Sequence, residues 1–228
     1  ISACLVGSEM CIRDRYAKTA AVRRGILDAC LTIFGESGFH GASMAEIARR
    51  AGISHTGLLH HFPRKEDLLM AVLELQDERS ADYLSRNAAL DTDADPLDVL
   101  RGMATTLIER DQRVGLVELS AVLTGEATAP AHPAHVYFET RYRNIRSFMT
   151  RLFTRLRDEG RLSTDLPPRH LAAITIAAMD GLHTQWLFDR STIDVDACVA
   201  SLMSTFVPEL RPTCLLYTSP SPRDRQKS

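Results

Sequence analysis

Apolar residues recur at helical spacing along most of this chain of 228 residues. Near the N-terminus, one run places side chains three or four positions apart, on one face of a helix: Ile26, Leu27, Cys30, Leu31 and Phe34. No stretch alternates convincingly between apolar and polar residues, as a strand with one buried face would. The sequence therefore predicts an all-α fold, and it contains neither an internal repeat nor a phosphate-binding glycine loop.

The two ends of the chain stand apart from this pattern. Residues 5–14 can be encoded by a DNA sequence whose reverse complement, in a shifted frame, encodes residues 215–223. The inverted pair resembles a transposon-end adaptor used to prepare sequencing libraries, so we interpret residues 1–15 and 213–228 as adaptor-like scars. A natural arm and tail, the alternative, would not predict the inverted match. We expect the native fragment to span about residues 16–213, without defining its true termini.

Charge is distributed unevenly over this fragment. Residues 17–65 carry seven basic and three acidic side chains, a balance of +4, although the whole chain has a formal net charge of -2. A basic N-terminal part beside an acidic remainder indicates an anionic partner for the first part alone. The two cysteines outside the scars, Cys30 and Cys198, have no CxxC or metal-ligand neighbour, which suits a reducing cytoplasm. No apolar run approaches the ~20 residues of a membrane span.

Short helices are predicted in the basic part. Ser43 and Glu46 form a capping box that starts the second helix of the chain, and Gly52 ends it after two turns. Ser54 can cap a short third helix, and a fourth begins near Lys65. Two short helices joined at a glycine have the spacing of a helix-turn-helix, which reads DNA. A purely structural helical hairpin could share this pattern.

Five further helices follow a polar break at residues 91–96. Their apolar side chains keep helical spacing over residues 96–108, 115–123, 134–159, 168–189 and 195–207. The helix at 168–189 is apolar on two faces, so both faces must be covered. One face can pack on its own domain, whereas the other needs a partner; a monomer with a thick core is the alternative.

The helix-turn-helix region carries a dense pattern of specific residues. SMAEIARRAGIS at 43–54 is followed by Leu58, by HHF at 60–62 and by KEDLL at 65–69. This pattern resembles the N-terminal domain of the tetracycline-repressor (TetR) family, and three residues upstream match as well: Phe34, Gly38 and Phe39.

The resemblance implies two domains. A DNA-binding domain would span residues 16–72, with its helix-turn-helix motif at 43–62. A C-terminal helical domain at residues 73–212 would bind an effector and dimerise.

The resemblance also assigns DNA contacts to six residues. His55, Thr56 and Gly57 would open the recognition helix and face base edges. The other three would touch phosphates: Ser43, His60 and Lys65. Leu59 stands where the family usually has tyrosine, so a common phosphate contact is lost and we expect the buried side of this helix to be larger.

Two residue sets in the C-terminal domain follow from the same resemblance. The last two helices would pair with their copies in a homodimer through Leu171, Ile174, Ala178, Leu182, Val199, Leu202 and Phe206. A small-molecule cavity between the middle helices would be lined by Met103, Phe138, Tyr142, His183 and Trp186. Ordinary core packing is an equal alternative for each residue of the cavity set.

The sequence therefore predicts a ligand-responsive transcriptional regulator without catalytic residues, metal or cofactor. Repressors predominate in the family, so we expect a homodimer that binds a palindromic DNA operator and leaves it when an unidentified small-molecule effector binds. The alternative is an enzyme of the C-terminal domain, with or without metal, that uses its histidines: His132, His135, His170 and His183. No order of nucleophile and base and no metal-ligand spacing supports that alternative.

Overall fold

Helices account for most of the backbone in residues 3–86, 94–105 and 114–211, the part of the chain that the computed structural model describes. They are α1 Ala3–Gly41, α2 Met44–Arg50, α3 His55–His61, α4 Lys65–Arg86, α5 Pro96–Thr105, α6 Val114–Glu126, α7 His135–Asp158, α8 Pro168–Phe188 and α9 Val195–Phe206, and a 3₁₀ turn at Pro208–Leu210 follows. The described residues include no strand, which confirms the all-α prediction.

Some predictions from the sequence concern residues outside the part of the chain that the structure describes. The described part of α5 ends at Thr105, so the last three residues of the helix predicted at 96–108 lie outside the described residues. The same holds for residues 91–93 of the polar break and for the whole of the tail at 213–228. At the other end, α1 begins at Ala3, upstream of the expected native start at residue 16.

The helix starts around α2 and α3 follow from local hydrogen bonds. Ser43 Oγ accepts the Glu46 amide at 3.2 Å, and Ser54 Oγ accepts the Gly57 amide at 3.0 Å, as the sequence predicts. The second half of the predicted capping box is different, because the Glu46 carboxylate accepts hydrogen bonds from Arg49. The serine alone therefore supplies the side-chain cap of α2.

Gly38 interrupts α1 close to its end, where the sequence predicts that the helix stops. Its φ of 69° and ψ of 179° are non-helical, although a last helical turn follows to Gly41. A side chain at this position would overlap the carboxylate of Glu126, the last residue of α6. The backbone angle and the neighbour both require glycine here.

The side chains form two apolar cores. The first joins α1 to α4 with α6 and the beginning of α7, and its fully buried members include Ile26, Phe34, Ile47, Leu58, Leu69, Leu119 and Leu123. The second joins α5, α7, α8 and α9 through Leu97, Leu152, Phe153, Leu171, Trp186 and Val199. Since α6 packs into the first core, residues beyond 72 contribute to the burial of the helix-turn-helix region. A domain boundary at residue 72 stays a prediction.

Two glycines let α1 and α6 approach closely. A Cβ at Gly35 would lie 3.4 Å from the Leu119 amide nitrogen, and a Cβ at Gly115 would lie 3.2 Å from Leu31 Cδ2. Polar contacts tie α4 to the same unit, because the buried Gln76 donates to the Ser120 hydroxyl and Arg141 of α7 pairs with Asp77. The helices that flank the helix-turn-helix, α1 and α4, thus contact α6 and α7.

No helix of the described residues has both the length and the apolar character needed to span a bilayer.

Overpacking the contact between α1 and α6 should destabilise the protein. Gly35→Leu places extra methylenes against the α6 backbone, so we expect the free energy of unfolding to fall by about 1 to 3 kcal/mol. Gly25→Leu is the matched control: it lies in the same helix, and a Cβ there meets nothing within 4 Å. Because leucine favours a helix over glycine, the control should be neutral or stabilising. Urea denaturation followed by circular dichroism measures both, and equal stabilities of the two variants would contradict the packing described.

Candidate nucleic-acid interface

The recognition helix α3 is anchored on one side and open on the other. Leu58 is fully buried in the first core, and Phe62, just after the helix, is buried beside it. The exposed residues of α3 are His55, Thr56, Leu59 and His60. We call these four the outward face of α3. It unites three of the residues predicted to contact DNA.

Leu59 corrects a sequence expectation. The replacement of a tyrosine by leucine was expected to enlarge the buried side of this helix. Leu59 is instead 38% exposed, because Leu58 already occupies the anchoring position and its neighbour in sequence points about 100° away around the helix.

The other predicted DNA contacts differ in their surroundings. Ser43 is exposed, with its hydroxyl engaged by the Glu46 amide. Gly57 is half-buried, and its amide donates to Ser54 Oγ, so this amide already has its partner within the helix cap. The structure leaves the DNA roles of these residues as predictions.

Lys65 points inward, towards the connection between α1 and α2. Its Nζ donates to the carbonyl oxygens of Phe39 and Ala42, at 2.8 and 2.9 Å, and lies 4.4 Å from the centre of the Phe39 ring. The ammonium group therefore satisfies free carbonyls at the end of α1. A contact between Lys65 and phosphate stays a prediction, and it would have to use the remaining N–H.

Several basic side chains near this face are paired with carboxylates. Arg50 contacts Glu36 at 2.9 Å, and Arg64 contacts Asp67 at 2.7 Å. The hydrogen bonds from Arg64 hold the pKa of Asp67 below its usual value, and Arg49 has the same effect on the pKa of Glu46. These pairs are exposed, so each contributes little to stability and a phosphate can compete for the cation. Pairing leaves the net charge of residues 17–65 at +4, but it engages several of the cations with carboxylates before any phosphate arrives.

Glu126 makes a long-range contact that sequence reasoning missed. Its Oε2 accepts the Phe39 amide at 2.7 Å, across 87 positions of sequence. The contact joins the end of α6 to the residue after Gly38. No local pattern identifies it, because the partner is a backbone group of a distant segment.

His132 completes this junction from the loop between α6 and α7. Its buried ring accepts the Ala134 amide at Nδ1, and Nε2 lies 3.7 Å from Glu126 Oε2. The ring packs edge-on against Phe39 and His40, with centroids 5.2 and 5.4 Å away. Burial lowers the pKa of His132, and the neighbouring Glu126 carboxylate opposes that shift only in part.

The remaining histidines of the alternative enzyme are scattered. His135 Nδ1 lies 2.8 Å from the Ala127 carbonyl oxygen, at the start of α7. His170 is exposed at the start of α8, and His183 lies near the other end of that helix. Across residues 3–86, 94–105 and 114–211, no group of three histidine, cysteine or carboxylate side chains is arranged to hold a metal ion.

The predicted effector residues do not form one cluster. Met103, Tyr142 and Trp186 border or enter the second core, whereas Phe138 is buried in the first. Phe138 therefore packs with α1 to α4 and α6, apart from those three residues, and the cavity lined by the whole set stays a prediction. Tyr142 contacts both cores.

Tyr142 and Asp180 form the polar part of this region. The Tyr142 hydroxyl donates to Asp180 Oδ2 at 2.8 Å. Burial, together with this carboxylate, raises the pKa of Tyr142 to about 12. Burial also raises the pKa of Asp180. His183 is half-buried one turn further along α8.

The predicted dimer residues divide into two groups. Three of them are buried within the protomer and present no surface to a partner: Leu171, Val199 and Phe206. That part of the prediction is corrected, because the apolar stripe of each helix packs into the second core. Ile174 is 40% exposed, and three others are half-buried: Ala178, Leu182 and Leu202.

The exposed face of α8 lies opposite Leu171 and the other side chains that this helix buries in the second core. Its apolar or small residues are Ala173, Ile174, Ala177, Gly181 and Phe188, of which Phe188 is 89% exposed, and Thr184 and Gln185 are exposed on the same side. The neighbouring face of α9 exposes small side chains: Ala197, Cys198, Ser201 and Thr205.

Two family models match the chain. Residues 26–72 match bacterial regulatory proteins of the tetR family. Residues 96–211, slightly more than half of the chain, match the C-terminal part of BetI-type transcriptional repressors.

Similar proteins of known identity carry regulatory names. The HTH-type transcriptional regulator RutR of Escherichia coli (strain K12) is 46% identical over 59 residues, which cover 26% of this chain and only 28% of RutR. AcrR of Shigella flexneri is 26% identical over 190 residues, which cover 80% of this chain and 86% of AcrR. Among solved structures, SmeT in complex with triclosan has a TM-score of 0.66 at 22% identity and covers 82% of this chain and 92% of its own. SmeT is the repressor of the Stenotrophomonas maltophilia multidrug efflux pump SmeDEF. At that identity the likeness shows the fold alone.

The buried His132 should make stability depend on pH. Because its pKa is lowered in the folded protein, the unfolded chain binds the proton more readily as the pH falls below about 6.5. Stability should therefore be fully present above that value and decrease below it. His132→Asn removes the titrating group while keeping an acceptor for the amide two residues on.

Urea denaturation at pH 7.5 and 5.5 measures this effect. The loss of unfolding free energy between the two values should be smaller for His132→Asn than for the original chain. His170→Asn, which changes an exposed histidine, should keep the original pH dependence. An unchanged dependence in His132→Asn would show that this ring is not responsible.

Proposed function

The chain belongs to the tetR family of bacterial regulatory proteins, and we propose that it is a ligand-responsive repressor that binds a palindromic DNA operator as a homodimer. The observation that carries the proposal is the outward face of α3. Three polar side chains are exposed there, on a helix that Leu58 and Ser54 hold in place. Such a helix fits the major groove, where hydrogen-bonding groups distinguish the base pairs.

The proposed homodimer uses the exposed face of α8 with that of α9. Ile174 and Phe188 supply apolar area, and the small residues on both helices allow a close approach of two copies. A two-fold interface presents the same patch from each protomer. Two recognition helices would then meet successive major grooves, about 34 to 36 Å apart, which is the reason for a palindromic operator.

The proposed effector site lies beside the second core. Met103, Tyr142, His183 and Trp186 combine apolar surface with a few polar tips, as small-molecule sites usually do. SmeT, of similar fold, is named in complex with a small molecule, which supports the same role for this domain.

We propose no enzymatic activity. The family and the relatives named above are transcription regulators, and His132 and His135 serve separate local contacts. Because its proposed partner is operator DNA, the protein would act in the bacterial cytoplasm.

Truncating the polar residues of the outward face should weaken specific DNA binding. An operator obtained by selection from random-sequence duplexes provides the probe. His55→Ala and Thr56→Ala should each weaken binding to it by roughly 1 to 3 kcal/mol, because base-edge contacts are lost. Binding to a scrambled duplex should change little, since that binding depends on phosphates.

Fluorescence anisotropy titrations at several salt concentrations measure these affinities. His170→Ala, an exposed histidine on α8, is the matched control and should bind both duplexes like the original chain. If His55→Ala and Thr56→Ala bind the operator with unchanged affinity, α3 does not read base edges.

A charge on the exposed face of α8 should dissociate the dimer. Phe188→Glu or Ile174→Glu would bury a carboxylate without a partner in the interface, so sedimentation velocity should show a monomer. Leu59→Glu is the control, because Leu59 is exposed on α3, whose buried side packs into the first core and not beside α8. A dimer that survives both substitutions on α8 would contradict the proposed interface.

A further inference from the structure

The outward face of α3 has an apolar centre. His55, Thr56 and His60 can donate and accept hydrogen bonds, whereas Leu59 can do neither. Leu59 follows His55 by four positions and Thr56 by three, so helical geometry places it between them, one turn further along. The leucine therefore belongs to the same surface as the polar residues proposed to read bases.

The protein itself does not bury this side chain. Leu59 stays 38% exposed while Leu58, its neighbour in sequence, is fully buried. Isolated exposed leucines are common on protein surfaces and need no function. This one is distinguished by its position, because whatever His55 and Thr56 contact must also approach Leu59.

Base edges in the major groove offer one apolar group that fits such a side chain. The pattern of donors and acceptors is interrupted by the methyl group at C5 of thymine, and apolar side chains contact that methyl group. Cytosine carries only a hydrogen at the same carbon and offers less apolar contact, whereas guanine and adenine present hydrogen-bonding groups that leucine would leave without partners.

We propose that Leu59 reads the 5-methyl group of a thymine in each half of the operator. This inference rests on the proposed function and adds a specificity-determining residue to it. Leu59 lies about 6 Å further along the helix axis than His55, which corresponds to one or two base-pair steps of about 3.4 Å. The thymine therefore lies within two base pairs of the position whose preference depends on His55.

Loss of one thymine methyl group should reduce the affinity for the operator by a small, measurable factor. Burial of one methyl or methylene group corresponds to about a fourfold change in affinity. Replacing the thymine by deoxyuridine in one half-site removes only that methyl group, so binding should weaken about fourfold. Replacement in both half-sites should weaken it about sixteenfold if the two contributions are independent.

The test uses the full chain and the operator selected from random-sequence duplexes. Each thymine is replaced in turn by deoxyuridine, and affinities are measured for the original chain and for Leu59→Ala. We expect one symmetric thymine whose methyl group matters to the original chain and no longer matters to Leu59→Ala. Selection with Leu59→Ala should also lose the preference for thymine at that position.

Leu166→Ala is the matched control for the leucine. Leu166 is 41% exposed in the loop between α7 and α8, so the same truncation is made at similar exposure away from α3. It should retain the full response to deoxyuridine. The scan with the original chain needs no substitution, so the proposal stays testable if Leu59→Ala does not fold.

Two results would overturn the role of Leu59 alone. One is an enriched operator at which no thymine near the His55-dependent position responds to loss of its methyl group. The other is a response that persists undiminished in Leu59→Ala, which would assign the methyl contact to another residue. A selection that enriches no site at all would instead overturn the proposed function, and the role of Leu59 with it.

Discussion

The orientation of the helix-turn-helix region depends on Phe39, whose backbone amide and carbonyl both form hydrogen bonds with distant side chains. The Phe39 amide donates to Glu126 at the end of α6, and the Phe39 carbonyl accepts from Lys65 at the start of α4. Gly38 makes this possible, because its positive φ exposes the next amide outside the regular pattern of α1. A buried amide without an acceptor would be destabilising by about 1 to 3 kcal/mol, so the contact constrains the connection strongly. Ser43 and α2 follow directly, and their placement relative to α6 is set here.

Capping residues and apolar spacing predicted where the helices lie, but they did not predict which elements pack against each helix. Ser43 and Ser54 cap the helices that the sequence predicts, because each hydroxyl meets an amide three positions away. Apolar spacing identifies a helix and its stripe, but it does not say which element covers that stripe. Leu171 and Val199 were therefore expected at a dimer interface and lie in the core of the protomer. Leu59 shows the converse error, since an apolar residue was expected to be buried and is exposed.

The sequence gives the number of charged residues, but it does not show which groups the basic side chains contact. The sequence shows an excess of positive charge in residues 17–65 beside an acidic remainder. It does not show that Arg50 and Arg64 are paired with carboxylates or that Lys65 turns towards backbone carbonyls. Such pairs form across turns and between helices. In a DNA-binding protein they keep basic side chains ordered near the surface until phosphates replace the carboxylates, at little cost in free energy because each exposed pair is weak.

The position of α6 connects the two cores. Leu119 and Leu123 are buried in the first core, whereas Val114 and Val117 pack against the second. Cores are packed nearly as densely as organic crystals, so a change of volume on one side of a helix is accommodated by moving the helix rather than by compressing it. In the proposed regulator, an effector that enlarges the second core beside Trp186 would displace α6. Since α6 ends at Glu126, the displacement would act on the Phe39 amide and hence on the residues that precede α2. Such a regulator would exchange between one arrangement with α6 in place and one with α6 displaced. A ligand shifts this equilibrium only by the difference in its affinity for the two arrangements. The stronger the Glu126 contact is, the larger that difference in affinity must be.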